Sequence, residues 1–193
     1  RLALHAPQKM LKGMTHLLQV QPLLNLLAHP EIHVRYGTLA LLQCLPGQVP
    51  LEQVLTMLNE AEDRTRIAAT ACLLRIAKPL PPALITRILS DPNSWVRRQL
   101  LEFLEDAILE PGAPVDILIA RLDDTDGWNR LWALEALGKP GVIEHVPVEV
   151  FVKAVSMHYF YPDQLTFALQ VLRNKDPQRA IEQCILALGH SDH

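Results

Sequence analysis

The sequence contains few cysteines and no run of basic residues, and both shortages exclude classes of protein. Its three cysteines, Cys44, Cys72 and Cys184, are too few and too far apart for a disulfide framework. We therefore expect reduced core thiols and a cytoplasmic protein. The net charge is −3 and lysine and arginine are not clustered, which argues against a surface that neutralises a phosphate backbone. We do not expect nucleic acid as a general partner.

Long apolar runs are also missing. The longest uncharged stretch, residues 13–30, is interrupted by polar residues and proline, which a membrane-spanning helix tolerates poorly. The apolar region at the start of the chain is too short for a secretory signal, and Pro7 closes it. We expect no membrane span. Because the sequence begins with Arg1, we also expect a fragment or a processed form of a longer protein.

Signatures of catalysis and of cofactor binding are absent from the sequence as well. The eight glycines stand singly at predicted helix ends, so they form no phosphate-binding loop. The eight histidines lack the spacing that a zinc site needs, apart from His190 and His193 in the tail, which we interpret as a frayed end. No local pattern singles out a nucleophile. We expect no enzymatic activity, no cofactor and no metal.

A repeated proline organises the chain. With 49% apolar and 20% charged residues, the 193-residue chain is able to bury a sizeable core as one domain. Apolar residues recur at i, i+3, i+4 and i+7 after each proline, which predicts one buried face of a short helix. Proline suits the first turn of a helix, where an N–H has no intrahelical acceptor. The prolines recur at nearly even spacing along the chain: Pro22, Pro50, Pro81, Pro114 and Pro147.

An arginine then marks a second helix in four of the five units. It follows a cap-like residue at a constant separation in the pairs His29/Arg35, Glu60/Arg66, Asp91/Arg97 and Asp124/Arg130. Asp91-Pro92 predicts an N-cap followed by proline at the first helical position. Leu165 stands where a fifth arginine is expected, so the last unit is degenerate.

Two helices joined by a short turn cannot bury both apolar faces alone, so successive pairs must stack. The predicted fold is all-α: a right-handed α-solenoid (α-α superhelix) of about five helical hairpins in a single domain, 1–193. The predicted helix pairs are 22–45, 50–77, 81–109, 114–138 and 147–173. A partial N-terminal unit is expected at 1–20, and a C-terminal capping helix at 177–189.

Two stretches resemble the HEAT-repeat signature: 91–97, Asp-Pro-Asn-Ser-Trp-Val-Arg, and 124–137, which ends in Arg-Leu-Trp-Ala-Leu-Glu-Ala-Leu. The short period is similar to the compact HEAT-like units called PBS-lyase repeats. The resemblance covers 22–140 well and 141–175 weakly. It implies a structural ladder of turn acids and helix arginines between neighbouring repeats, full at Asp91/Arg97 and Asp124/Arg130, approximate at Glu60/Arg66 and broken at His29/Arg35. A helical side chain leans toward the N-terminus, so each arginine is able to reach the capping layer of the adjacent unit.

Aromatic residues define the candidate partner-binding surface. Trp95 and Trp128 lie just before their arginines, and large rings flanked by arginine are favoured at protein interfaces. In the architecture that the resemblance implies, second helices line the concave side and carry the row His33, Arg64, Trp95 and Trp128, beside Tyr36, Arg98 and Trp132. The alternative is that both tryptophans pack in the core between units. A second candidate is the aromatic turn 158–162, which we interpret as a cover over the end of the stack.

Three functions remain open from the sequence. The leading one is a non-catalytic scaffold or regulatory module, part of a larger chain or assembly, that binds a protein or peptide on the concave surface. The resemblance to repeats of phycobilin lyases leaves open a bilin attachment helper. A HEAT-like DNA glycosylase is the third, and the acidic balance of the chain counts against it.

Overall fold

The computed structural model describes residues 18–45, 47–106, 112–156 and 162–189, and the regular elements in these ranges are all helical. The predicted all-α class is therefore confirmed for the described part of the chain. Most of the predicted N-terminal unit lies outside these residues. So do positions 158–161 of the aromatic turn, together with His190 and His193.

Eleven α-helices occur in the described ranges, and two of them continue into 3₁₀ turns. These turns, Met57–Asn59 and Arg121–Asp123, extend α3 and α7, and a third, Ile143–His145, precedes α9. In chain order the helices are α1 Val20–Leu26, α2 Ile32–Leu42, α3 Leu51–Thr56, α4 Asp63–Ile76, α5 Pro82–Leu89, α6 Ser94–Asp106, α7 Val115–Ala120, α8 Gly127–Leu137, α9 Val148–Ser156, α10 Pro162–Lys175 and α11 Pro177–Gly189.

Prolines precede the first helices, as their spacing in the sequence indicated. Pro50, Pro81 and Pro114 stand immediately before α3, α5 and α7, with φ between −64° and −75°. Proline has no N–H and a φ fixed near these values, so it enters a helix without losing a donor. Pro22 differs, because α1 begins at Val20 and the proline falls inside its first turn.

The chain divides into two compact units, Arg1–Leu100 and Leu101–His193. In the first unit α1 packs on α2, α3 packs on α4, and α2 packs on α4. In the second unit α7 packs on α8, α9 packs on α10, α8 packs on α10, and α11 packs on both α9 and α10. Within each unit, therefore, second helices of successive pairs lie against one another. The single domain over 1–193 stays a prediction.

The core of the first unit is centred on α4. Its residues are buried without interruption over 68–74, and small side chains at Ala68, Ala69 and Ala71 let neighbouring helices approach closely. Cys72 is buried there, and burial raises the pKa of its thiol to about 12. The expectation of core thiols is wrong for Cys184, which is exposed, while Cys44 is partly buried and all three are free thiols.

The end of α8 is shaped by a close contact in the second unit. A Cβ at Gly138 would lie 2.6 Å from Cζ of Phe167 on α10. The sequence pattern identified Gly138 only as a helix stop. Its backbone φ is −82°, so left-handed geometry is not the reason for glycine here. Glycine leaves room here for the Phe167 ring of α10, and a larger residue would force that ring to move.

Candidate partner-binding surface

Four arginines close the turns that join first and second helices. In each case Nη1 donates to two successive carbonyl oxygens of the preceding turn, at 2.7 to 3.5 Å. Arg66, for example, donates to the carbonyls of Glu60 at 3.0 Å and Ala61 at 2.8 Å. The arginines lean toward the N-terminus as helical side chains do. Their first target is thus the turn of their own unit. The four are Arg35, Arg66, Arg97 and Arg130.

Arg66 and Arg35 also reach forward to the following turn. Arg66 Nε donates to Asp91 Oδ2 at 2.8 Å and its Nη2 donates to Oδ1 at 3.2 Å. Arg35 Nη2 lies 3.3 Å from Glu60 Oε2. The hydrogen bond with Asp91 raises the pKa of the Arg66 guanidinium, and only 10% and 9% of the two side chains are exposed. In the first unit a single guanidinium therefore ties two successive turns together.

Asp91 and Asp124 fold the turns in which they stand and do not cap the helices that follow. Asn93 N donates to Asp91 Oδ1 at 2.8 Å, while α6 begins at Ser94. Asn93 Oδ1 accepts from the N–H of Trp95 at 2.8 Å, so Asn93 is the cap. The prediction that Asp91 is the N-cap and Pro92 the first helical residue is wrong. The cap lies further along the chain because Asp91 is already used by the turn and by Arg66.

His29 accepts the same kind of hydrogen bond within its turn, although it has no carboxylate. Its Nδ1 accepts from the N–H of Glu31 at 3.1 Å, as Asp124 Oδ1 accepts from Asp126 N at 3.0 Å. An imidazole nitrogen can replace a carboxylate oxygen as an acceptor.

Trp95 and Trp128 are exposed, which the sequence left undecided. Their relative exposures are 57% and 49%. Each stands in the first turn of a second helix, where its backbone N–H donates to the side chain of the N-cap residue at 2.8 Å. The N-cap residue is Asn93 for Trp95 and Asp126 for Trp128. The backbone under each indole is therefore fixed by a hydrogen bond. The alternative of tryptophans packed in the core between units does not describe these two rings.

In the first unit, basic and aromatic residues share the register of Trp95. The guanidinium of Arg98, one turn further along α6, lies 4.8 Å from the centroid of the Trp95 ring, within the range of a cation–π contact. His33, Tyr36 and Arg64 are exposed at the corresponding places on α2 and α4. We call the set His33, Tyr36, Arg64, Trp95 and Arg98 the unit-1 surface.

In the second unit the two tryptophans have different environments. Trp132 is only 9% exposed, so its ring is not presented for a partner as the sequence predicted. Its centroid lies 5.6 Å from that of Trp128, with the rings tilted by 32°. Residues four apart lie on the same helix face, and Trp132 therefore supports the exposed ring of Trp128 from beneath.

A second series of links, which the sequence patterns did not predict, joins first helices. Lys153 Nζ on α9 lies 2.9 Å from Asp123 Oδ2 at the end of the α7 extension. At the matching place in the first unit, Arg87 on α5 donates to Asn59 Oδ1. The sequence signal is a polar residue at the end of one first helix followed by a cation in the next first helix. These links are exposed, so they stabilise the fold weakly.

Neither a metal site nor a membrane span is found among the described residues. They contain no group of three or more histidine, cysteine, aspartate or glutamate side chains placed to hold a metal ion. No helix in this part of the chain has the length and apolar character needed to cross a membrane. The chain matches no known protein-family model and no curated protein sequence.

Proposed function

We propose that this chain is a HEAT-like α-solenoid that binds a protein or peptide partner without catalysis, using the exposed tryptophans of its second helices. The observation that carries this proposal is Trp95, an indole 57% exposed and held under the guanidinium of Arg98 at 4.8 Å. Tryptophan and arginine are the residues that most often dominate binding energy at protein interfaces. Their juxtaposition on the surface favours recognition over a role in folding.

The rigidity of both rings supports the same conclusion. A ring that is already positioned loses little conformational entropy when a partner covers it. Trp95 is fixed by its capped backbone and by Arg98, and Trp128 by its capped backbone and by Trp132. An exposed tryptophan in the same repeat register of two units is difficult to attribute to packing. Each unit thus offers one preorganised anchor.

The repeat architecture is supported by the turns and by the helix packing. Four turns carry the same arginine contacts, and second helices of successive pairs pack together within each unit. Such repeats bury their apolar faces only by stacking on neighbours. Small-angle X-ray scattering tests this part of the proposal. A radius of gyration clearly above the roughly 16 Å of a compact globule of this length supports a solenoid, and a value at that size contradicts it.

Affinity capture with matched variants tests the binding role. The bait proteins are the native chain, the double variant Trp95→Ala/Trp128→Ala, and Leu26→Ala, which removes an apolar side chain that is 39% exposed on α1. We expect a protein retained by the native chain and by Leu26→Ala but lost from the double variant. The affinity of that purified partner should then fall at least tenfold with Trp95→Ala, since hot-spot truncations cost about 2 kcal/mol or more. Equal capture by all three baits would contradict the proposal, provided circular dichroism gives them equal helicity.

A further inference from the structure

The second helices of the first unit carry a row of basic and aromatic residues. Two register positions form this row, one two places before each turn arginine and the other one place after it. These positions are three apart, so they lie on the same helix face. The chain as a whole contains 21 acidic and 18 basic residues, yet these positions contain arginine and histidine and no carboxylate. The row consists of the unit-1 surface and Ile67, that is His33, Tyr36, Arg64, Ile67, Trp95 and Arg98.

Three side chains of this surface are able to donate hydrogen bonds to a ligand. His33, Tyr36 and Arg64 are exposed, and no residue in the described part of the chain forms a hydrogen bond or an ion pair with their side chains. Asp63, the carboxylate next to Arg64 in the chain, is held elsewhere, because its Oδ2 accepts from Asn93 Nδ2 at 2.7 Å. The positive charge of Arg64 is therefore presented to solvent.

The helices that carry this row lie side by side. Helix α2 packs on α4, and Arg66 on α4 is joined to Asp91, in the turn before α6, at 2.8 Å. Packed helices lie about 8 to 10 Å apart. A polyproline II segment has three residues per turn and rises about 3.1 Å per residue, so every third side chain recurs on one side after about 9 Å. A peptide in this conformation that crosses the helices is able to place one side chain on each. Glu102, one turn beyond Arg98 on α6, restricts an acidic peptide to the first turns.

We propose that the unit-1 surface binds an acidic, proline-containing segment of a partner protein, in the polyproline II conformation, across the first turns of α2, α4 and α6. Carboxylates three residues apart accept from His33 and Arg64, and a proline ring lies on the exposed indole of Trp95, as proline-rich segments dock in aromatic-lined grooves. Arg98 holds that indole and adds positive charge. A nucleic acid fits less well, because the row contains no lysine and the chain has a net charge of −3. This inference rests on the proposed function and specifies the chemistry of the partner.

Labelled peptides made of Glu-Pro-Pro or Lys-Pro-Pro repeats provide the test, measured by fluorescence anisotropy. Both peptides favour polyproline II and repeat their charge at every third position. We expect saturable binding of the Glu-Pro-Pro peptide to the full chain and at least tenfold weaker binding to Arg64→Glu, because like charges then face each other. Arg87→Glu makes the same charge change at an exposed arginine on α5, a first helix, and should leave the affinity unchanged. The Lys-Pro-Pro peptide should bind Arg64→Glu more tightly than the native chain.

Absence of saturable Glu-Pro-Pro binding, or equal binding to Arg64→Glu of native helicity, would overturn the proposal. Arg64→Gln removes the charge without reversing it and replaces Arg64→Glu if that variant loses helicity. Tighter binding of a single-stranded DNA with the same number of charges would also overturn it, because the ligand would then be a phosphate backbone. So would sedimentation that reveals a dimer of the native chain which Arg64→Glu dissociates, because the occupant would then be a second copy.

The outcome for the proposed function is separate. A captured protein that is lost with Trp95→Ala/Trp128→Ala but retained in full by Arg64→Glu would leave the binding role intact and contradict only the acidic segment. Equal capture by the native chain and by the tryptophan variant would contradict the binding role itself.

Discussion

In the first turn of α6, Trp95 and Arg97 stand two positions apart, and one side chain is exposed while the other is buried. The tryptophan is 57% exposed and the arginine 6%. Two positions rotate a helix by about 200°, so the two side chains point to opposite sides. The arginine side is constant over four units. The tryptophan side changes from His33 to Arg64 to Trp95 to Trp128. One helical turn can therefore serve stability on one side and leave an exposed side chain on the other.

The same arginine recurs in four repeats because each guanidinium satisfies several hydrogen-bond acceptors. Arg66 satisfies two carbonyls of its own turn and a carboxylate of the next. Removing it would leave those acceptors without their donor in a desolvated place. An exposed position has no such constraint, because water can satisfy whatever residue is there. The residue at the tryptophan position is therefore able to differ from one repeat to the next.

The largest effect is expected for Arg66→Ala. This change leaves the nearly buried Asp91 carboxylate without its cation, and breaking such a pair costs about 3 to 5 kcal/mol. Urea denaturation should record that loss in the free energy of unfolding. Arg66→Lys keeps the charge but cannot reach two carbonyls and a carboxylate at once, so it should recover only part of the loss. A loss below about 1 kcal/mol for the alanine variant would mean that the arginine side of the turn does not stabilise the fold more than the exposed side does.

Trp132→Ala should follow, with a loss of about 3 kcal/mol, the low end for truncating a buried tryptophan. Trp128→Ala should lower the free energy of unfolding by only about 1 kcal/mol, through its ring contact with Trp132. Thermal or urea unfolding of the two variants side by side measures this contrast. Equal losses would mean that Trp128 belongs to the packing of the second unit, and its role as an anchor would be lost.

Arg35→Ala should cost less than Arg66→Ala, because the loss of its hydrogen bonds and of a partly exposed ion pair is worth about 1.5 kcal/mol. Arg35 closes its own turn in the same way, but its carboxylate partner Glu60 is 30% exposed and lies at 3.3 Å. Water therefore compensates part of the loss. The pair Arg35→Ala and Glu60→Gln in a double-mutant cycle isolates the forward contact. A coupling energy as large as that between Arg66 and Asp91 would contradict the dependence on burial.

The smallest effect on stability is expected for Trp95→Ala, about 0.5 kcal/mol, the value of an exposed cation–π contact. Its effect on partner affinity should nevertheless be the largest among these changes. Denaturation and binding must therefore be measured on the same preparation. If the Trp95→Ala variant unfolded readily, Trp95 would belong with Arg97 among the residues that stabilise the fold.

The helix pattern could be predicted from the sequence because its signals are local. Opening prolines, apolar spacing and turn arginines act over short stretches of chain, and helices occur in every predicted range that the structure describes. The cap of α6 was misplaced because Asp91 is occupied by Arg66, which belongs to the preceding pair. A contact between two helix pairs cannot be recognised from the residues that surround the cap.

The sequence by itself determined that the described residues form helices, where the pairs begin, and which arginines recur. Tertiary structure alone decided which side chains are covered: Trp132 but not Trp128, and Phe151 but not Ile181. Composition cannot separate these cases, because equal apolar spacing produces equal helices whether or not a neighbour packs on them. Burial depends on which helix lies across a given face, and that helix comes from residues distant in the chain.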